Sequence, residues 1–145
     1  MVIDMRYRFL EHTADQYIRA FGETLGEAFA NGGLAVFETM TDTSKVRKSK
    51  MKFFVIEDSE LESLLYSFIE QLLIIWETEN FLVSKLDVFI VKRGDGSYLL
   101  NAKIWGEPFD AKRHESRCGV KAMTYCLMKV INTPPRVVLE FVVDI

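Results

Sequence analysis

The sequence contains little cysteine, no excess of positive charge and no long apolar run, and each shortage excludes a class of protein. Its two cysteines, Cys118 and Cys126, form no CxxC pair, so we expect two buried or half-buried free thiols; a disulfide would require strands that bring them within bridging distance. The net charge of −3 removes the usual electrostatic basis for tight, nonspecific RNA binding. No apolar run reaches the roughly 20 residues that cross a bilayer, which favours a cytoplasmic protein without membrane contact.

Catalytic motifs are also missing. Serine, histidine and aspartate fall into no nucleophilic pattern such as GxSxG, and no glycine-rich phosphate loop is present. The chain has only two histidines. We therefore expect a protein that is not itself an enzyme.

The composition that remains is that of one folded domain. The 145 residues are 49% hydrophobic and 27% charged, which predicts a single domain over residues 1–145 with one core. Apolar residues repeat at helical spacing from Ser59 to Thr78, with Ser59 and Glu62 expected as a capping box. The same spacing predicts a second helix over Leu25–Met40, with a pair of glycines in its middle.

Runs of β-branched and aromatic residues predict strands between and around these helices. A glycine-bearing turn at residues 93–97 joins two of them as a hairpin. The order ββαβαββββ favours an α+β two-layer sandwich, with two main helices packed on a largely antiparallel or mixed sheet, over a Rossmann-like fold. The predicted strands are Tyr7–Leu10, Tyr17–Gly22, Val46–Ile56, Lys85–Lys92, Tyr98–Trp105, Lys121–Val130 and Val137–Ile145.

Two aspartates lie near opposite ends of the sequence, each beside a predicted strand. Asp15 lies in the loop between the first two strands, and Asp144 lies in the last strand, next to Ile145. If a sheet joins these segments, the two aspartates and the terminal carboxylate carried by Ile145 converge. Two unit charges about 4 Å apart repel by roughly 4 kcal/mol at an effective dielectric near 20, so such a cluster needs a cation or a shifted pKa. Oxygen ligands of this kind suit Ca²⁺, Mg²⁺ or Mn²⁺ better than zinc or copper. The alternative is a turn aspartate and a frayed chain end.

Three further polar residues are weaker candidates. His12 either orients the loop that carries Asp15 or is itself a metal ligand; a histidine hydrogen-bonded within its own turn is the commoner case. Asp42, in the loop after the first predicted helix, is a candidate for the same end of the sheet, but a helix-terminus residue needs no such role. His114 lies in a charged loop that is either a partner-facing patch or simply solvated.

The densest basic segment is compatible with two roles. Alternation places part of it on one face of a strand, where it would contact RNA or an acidic protein. No aromatic residues for base stacking are interleaved, so an edge strand protected by lysines is an equal alternative. The segment consists of Lys45, Arg47, Lys48, Lys50 and Lys52.

Several segments of the sequence, taken in order, resemble those of one known protein family. Any one of them is weak, but the ordered set is specific and spans the whole chain. Relatives often have a histidine after the Thr-Tyr pair at 124–125, where this chain has Cys126, so no imidazole is available there. The segments are residues 9–15, 18–22, 24–29, 37–42, 106–110 with Arg113 and His114, 120–125 and 143–145. The family that they resemble is the archease family.

The resemblance implies a small protein cofactor of an RtcB-type RNA ligase, which joins RNA ends in tRNA splicing and repair using GTP and a divalent metal. In that family picture the ligase forms a covalent guanylate on its own histidine, and the archease promotes that step and repeated turnover. The resemblance also implies metal ligands at Asp15, Asp144 and Ile145, and contact with RNA only through the ligase. Two alternatives remain: a chaperone or specificity modulator of an enzyme such as a tRNA methyltransferase, and a metal-dependent hydrolase of small phosphates.

Overall fold

Two antiparallel sheets and two helices make up the computed structural model, which describes residues 5–10 and 15–145. The predicted α+β class is confirmed, and both helices lie where the apolar periodicity puts them. In chain order the elements are β1 (Tyr7–Leu10), β2 (Asp15–Gly22), α1 (Leu25–Met40), a 3-10 helix (Thr43–Lys45), β3 (Lys50–Asp58), α2 (Leu61–Glu79), β4 (Phe81–Lys92), β5 (Tyr98–Pro108), β6 (Ala122–Met123), β7 (Lys129–Thr133) and β8 (Arg136–Asp144).

The two sheets differ in how far apart their strands lie in the sequence. Sheet A has five strands in the order β1-β2-β8-β6, with β7 also paired to β8. Sheet B has three strands in the order β3-β5-β4, all from the middle of the chain. The predicted hairpin joins β4 to β5: Arg93 N–H donates to the Ser97 carbonyl at 2.7 Å, and Gly96 takes the positive φ of 89° that the turn requires.

Helix α1 contacts both sheets, and two adjacent glycines allow this. A Cβ atom on Gly32 would lie 3.2 Å from the ring of Phe141 in β8. One on Gly33 would lie 2.8 Å from Leu86 of β4. Larger side chains at these positions would push the helix away from the core, which includes the fully buried Phe37.

The predicted capping box of α2 is wrong. Strand β3 continues to Asp58, so the helix begins later, and its N-cap is Glu60, whose side chain makes no capping hydrogen bond. The carboxylate of Asp58 accepts instead from the backbone N–H of Ser59 at 2.8 Å and from the hydroxyl of Ser63 at 2.6 Å. A strand residue therefore stabilises the helix start.

The predicted strand over residues 121–130 is also wrong, because the chain turns in its middle. Leu127 has a φ of 54°, in the left-handed region, which ends the extended conformation and separates β6 from β7. Both short strands pair with β8. Tyr125, in the turn, stacks on Tyr66 of α2 with ring centroids 4.4 Å apart.

Cys118 and Cys126 are free, as predicted, but both are exposed, so their predicted burial is wrong. They lie in the irregular segments before and after β6, which the sheet does not cover. Among the described residues, no helix is both long enough and apolar enough to span a bilayer.

Candidate metal centre

Asp15 and Asp144 are direct partners in sheet A. Asp15 is the first residue of β2 and Asp144 the last of β8, and the antiparallel register places them opposite each other. The expectation that Asp15 lies in a loop is therefore wrong, because β2 begins earlier than predicted. Directly opposed residues project from the same face with Cβ atoms about 4.5–5.5 Å apart. The two segments that carry the aspartates thus meet in space.

Burial along the two strands fixes this register. Ile18 and Ala20 of β2 face Phe141 and Leu139 of β8, and all four are fully buried. A slip of one residue would turn the apolar side chains outward. The pairing of the aspartates at the strand ends follows from the same register.

The end of β8 is held on both sides. Asp144 pairs with Ala122 on the edge away from β2, and its carbonyl accepts from the backbone N–H of Lys121 at 2.7 Å. The side chain of Ile145 is half-buried and packs against the core. The carboxylate of Asp144 is exposed on this fixed backbone, so the strand presents it to solvent without fraying.

This arrangement, termed the tip (Asp15, Asp144 and Ile145), fits a hard divalent cation. Two carboxylates on one face, with Cβ atoms about 4.5–5.5 Å apart, could both reach one ion, since Ca²⁺ and Mg²⁺ take oxygens at about 2.0–2.6 Å. In the part of the chain that the structure describes, no group of three or more His, Cys, Asp or Glu side chains is close enough to hold a metal. Further ligands would come from main-chain oxygens of Ile145, from water or from a partner.

The remaining predicted candidates are not brought to the tip by any described contact. His12 lies outside the described residues. Asp42 caps the 3-10 helix, where its Oδ1 accepts from the N–H of Ser44 at 3.1 Å and from its hydroxyl at 2.6 Å. The hydroxyl hydrogen bond is the main cause that lowers the pKa of Asp42. Cys126 donates its N–H to the hydroxyl of Thr124 at 3.3 Å.

The loop around His114 is largely exposed, as a solvated segment would be, but His114 itself points inward. Its side chain is fully buried, with Nε2 2.9 Å from Oε2 of Glu107. Because Nδ1 accepts the backbone N–H of Asp110 at 2.8 Å, the ring proton lies on Nε2, which donates to Glu107. Burial of a polar loop residue requires partners of this kind.

Glu107 is the centre of this buried group, the Glu107 cluster (Glu107, Arg113 and His114). Besides His114, it accepts from Nη2 of Arg113 at 2.6 Å and from the backbone N–H of Arg47 at 2.8 Å. Burial raises the pKa of Glu107, but the hydrogen bonds from Arg113, Arg47 and His114 outweigh it and lower the pKa to about 2. The cluster ties the end of β5 to the loop after it and to the segment before β3. Sequence reasoning missed it, although residues 106–110 and the Arg-His pair already stood out as one segment.

A shallow groove of about 260 Å³ lies beside the tip, between α2 and β6. Its walls carry Glu70 and Glu77 of α2 on one side and Lys121 on the other. The groove continues to Tyr66, which stacks on the exposed Tyr125.

Comparison with known proteins matches nearly the whole chain to one protein family. A profile described as the Archease protein family (MTH1598/TM1083) matches residues 7–145. The chain is similar to the protein archease of Sulfurisphaera tokodaii, with 49% identity over 140 residues, 97% of this chain and 99% of the relative. It is similar to the protein archease of Saccharolobus islandicus strain M.14.25, with 45% identity over 139 residues, 96% and 98% of the two chains. The solution structure of protein 1598 of Methanobacterium thermoautotrophicum superposes with a TM-score of 0.86 at 34% identity, covering 98% of this chain and 100% of the other.

Proposed function

Because the chain belongs to the archease family, we propose that it is a non-enzymatic activator of an RtcB-type RNA ligase. In this proposal it promotes the GTP-dependent guanylylation of the ligase and its repeated turnover, in tRNA splicing or RNA repair in the cytoplasm. Contact with RNA is through the ligase only, in keeping with the net charge of −3.

The observation that carries the proposal is the direct pairing of Asp15 with Asp144, where β2 begins and β8 ends. Like charges directly opposite each other destabilise a sheet. A divalent cation removes that cost, so a surface that keeps the pair is suited to bind Ca²⁺, Mg²⁺ or Mn²⁺ and to present it outward.

The proposed mechanism is a bias between states of the ligase. The tip docks near the metal and GTP site of the ligase and favours the conformation that accepts GTP. A partner shifts such an equilibrium only by as much as its affinities for the two states differ. The groove with Glu70 and Glu77 beside the tip would add contacts to the preferred state.

The test measures guanylylation and multiple-turnover ligation by a cognate RtcB-type ligase, with GTP and metal, in the presence of this protein. We expect stimulation by the wild type, and a loss of stimulation of tenfold or more with Asp15→Asn or Asp144→Asn at unchanged fold. The matched control is Glu23→Gln, because Glu23 is an exposed acid that follows the opposite end of β2. Titration calorimetry with Ca²⁺, Mg²⁺ and Mn²⁺ supplies an independent measure of binding at the tip.

The possible outcomes separate the parts of the proposal. Wild-type protein that changes neither guanylylation nor turnover would refute the activator role. Stimulation that survives both aspartate substitutions would refute the tip mechanism and leave the activator role standing. An effect on the product pattern of a tRNA methyltransferase, without one on the ligase, would favour the chaperone or modulator alternative.

A further inference from the structure

Strand β3 forms an edge of sheet B that is open to pairing. Within residues 5–10 and 15–145, it pairs only with β5, on one side. No backbone hydrogen bond from the described loops or helices reaches residues 50–58 from the other side. An edge strand with free N–H and C=O groups is a template for a further strand.

The outer face of this edge is apolar. Met51, Phe53 and Val55 alternate along β3 and are 52%, 57% and 49% exposed. On the same face of the sheet, Phe89 and Val91 of β4 are 68% and 41% exposed. A strand added beside β3 would cover part of this surface.

The charges of β3 are divided between its ends. The strand begins at Lys50, with Lys52 next on the same face, and it ends in Glu57 and Asp58. Its nine residues are centred on Phe54. A strand that is basic at one end and acidic at the other complements a copy of itself only when the copy runs antiparallel.

We propose that β3 pairs with β3 of a second copy of this chain about a two-fold axis beside Phe54, which joins the two three-stranded sheets edge to edge. This register places Lys50 opposite Asp58 of the second copy and Phe53 opposite Val55 of the second copy. All nine residues pair. Opposite charges face each other twice, and four apolar side chains form one cluster over the axis on the outer face.

Other registers are less favourable. Directly opposed residues must lie on the same face of the sheet, so the register shifts by two residues at a time. A shift in either direction leaves residues at the strand ends without partners, and a parallel arrangement would place like charges opposite each other. Lys52 already binds Glu79 of its own chain at 2.6 Å, and Glu57 binds Arg93 at 2.8 Å. Lys50 makes no ion pair among the described contacts, and Asp58 accepts from its own chain through Oδ1 alone. Lys50 and Oδ2 of Asp58 are therefore the charges that select the second copy.

Lysines on an edge usually discourage pairing. Lysines discourage pairing when the whole edge carries positive charge, because two such edges repel each other. In β3 the acidic end supplies the opposite sign, so the same lysines guide self-association to one register. Lys50 and Lys52 of the basic segment therefore do lie on an edge strand, but in this proposal they select a second copy of the strand instead of preventing its pairing.

The first experiment is a charge exchange followed by sedimentation equilibrium. We expect wild-type protein to be a dimer and each of Lys50→Glu and Asp58→Lys alone to raise the dimer dissociation constant about tenfold, because each places like charges at both ends of the pairing. An equimolar mixture of the two variants should dimerise as well as the wild type, since both charge pairs are then restored. Lys85→Glu is the control, with the same change in charge on β4, the opposite edge of the sheet.

A second experiment does not depend on Asp58, which also stabilises the start of α2. In a background of Cys118→Ser and Cys126→Ser, chains with Phe53→Cys are mixed with chains with Val55→Cys under mild oxidation. We expect disulfide-linked heterodimers in clear excess over either homodimer, because opposed Cβ atoms lie within reach of a disulfide and diagonal ones lie about 7–8 Å apart. Phe89→Cys, mixed with Val55→Cys, is the matched control on the same exposed face.

The results decide the proposal as follows. Wild-type protein that stays monomeric at high micromolar concentration would overturn it. A dimer in which the charge-exchange mixture is no tighter than its components, or in which the Phe89→Cys pair cross-links as well as the 53–55 pair, would overturn the interface. Selective 53–55 cross-linking supports the register even if Asp58→Lys fails to fold. No tip residue lies on β3, so these results are independent of the ligase assay.

Discussion

The Glu107 cluster and the tip both contain acidic side chains, but their surroundings are opposite. Glu107 is buried and accepts hydrogen bonds from Arg113, His114 and the backbone of Arg47. Asp144 is exposed and lies opposite another aspartate. One carboxylate is surrounded by donors from its own chain, and the other is placed beside a like charge.

This difference separates a structural charge from a charge available to a ligand. Burying a carboxylate is costly unless donors compensate it, and the chain supplies three for Glu107. The tip instead places the carboxylate of the half-buried Asp15 opposite that of the exposed Asp144, where like charges repel. Removing the carboxylate of Glu107 should therefore lower the free energy of unfolding, whereas removing one carboxylate of the tip should raise it.

The largest effect is expected from Glu107→Ala. It leaves the fully buried His114 and the half-buried Arg113 without their acceptor, which should lower the free energy of unfolding by about 3 kcal/mol. Urea unfolding followed by circular dichroism measures this. A loss below 1 kcal/mol would show that water replaces the carboxylate and that the cluster is not structural.

Lowering the pH should gradually remove the stability that the ionised Glu107 contributes. The pKa of Glu107 is lowered from 4.5 to about 2 in the folded protein, so its stabilisation is complete above pH 4.5 and is lost as the pH falls from there toward about 2. Unfolding experiments at pH 7, 4.5 and 3 should show the wild type losing more stability than Glu107→Gln over this range. Parallel curves for the two proteins would contradict the assignment.

The tip should behave in the opposite way. Without metal, Asp144→Asn removes a like-charge pair and should raise the free energy of unfolding slightly, by under about 1 kcal/mol. With saturating Ca²⁺, Mg²⁺ or Mn²⁺ the order should reverse, because only the wild type gains stability from binding. Thermal unfolding with chelator, and then with each metal, measures the difference in stability between the variant and the wild type under both conditions. A variant that is less stable than the wild type in chelator would show that the pair is not repulsive.

The smallest effect is expected from Glu115→Gln. Glu115 pairs with Arg117 at 3.0 Å, but it is 48% exposed, and such surface pairs contribute under about 1 kcal/mol. Its unfolding curve should overlay that of the wild type within error. A clear loss of stability would mean that the loop before β6 is held by charge more strongly than its exposure indicates.

What the sequence predicted depends on how local the signal was. Helices α1 and α2 follow from apolar periodicity, and the hairpin at 93–97 follows from its glycines. The pairing of Asp15 with Asp144 needed a hypothesis about distant strands, which the family resemblance supplied. No pattern predicted the break at Leu127, because a left-handed leucine has no glycine or asparagine to mark it. The Glu107 cluster was missed because charged residues in a loop resemble a solvated segment until their partners are known.

The position of β8 has a consequence for how the molecule is made. It lies between β2 on one side and β6 and β7 on the other, and its Glu140 bonds Tyr17, which is 123 positions earlier. Sheet B, by contrast, is built from residues 50–108 alone. During synthesis from the amino terminus, sheet B is complete in sequence well before β8 leaves the ribosome, so β2 waits for most of translation with only β1 as a partner. Molecules cut short before Asp144 would lack the pairing of the two aspartates, and with it the tip.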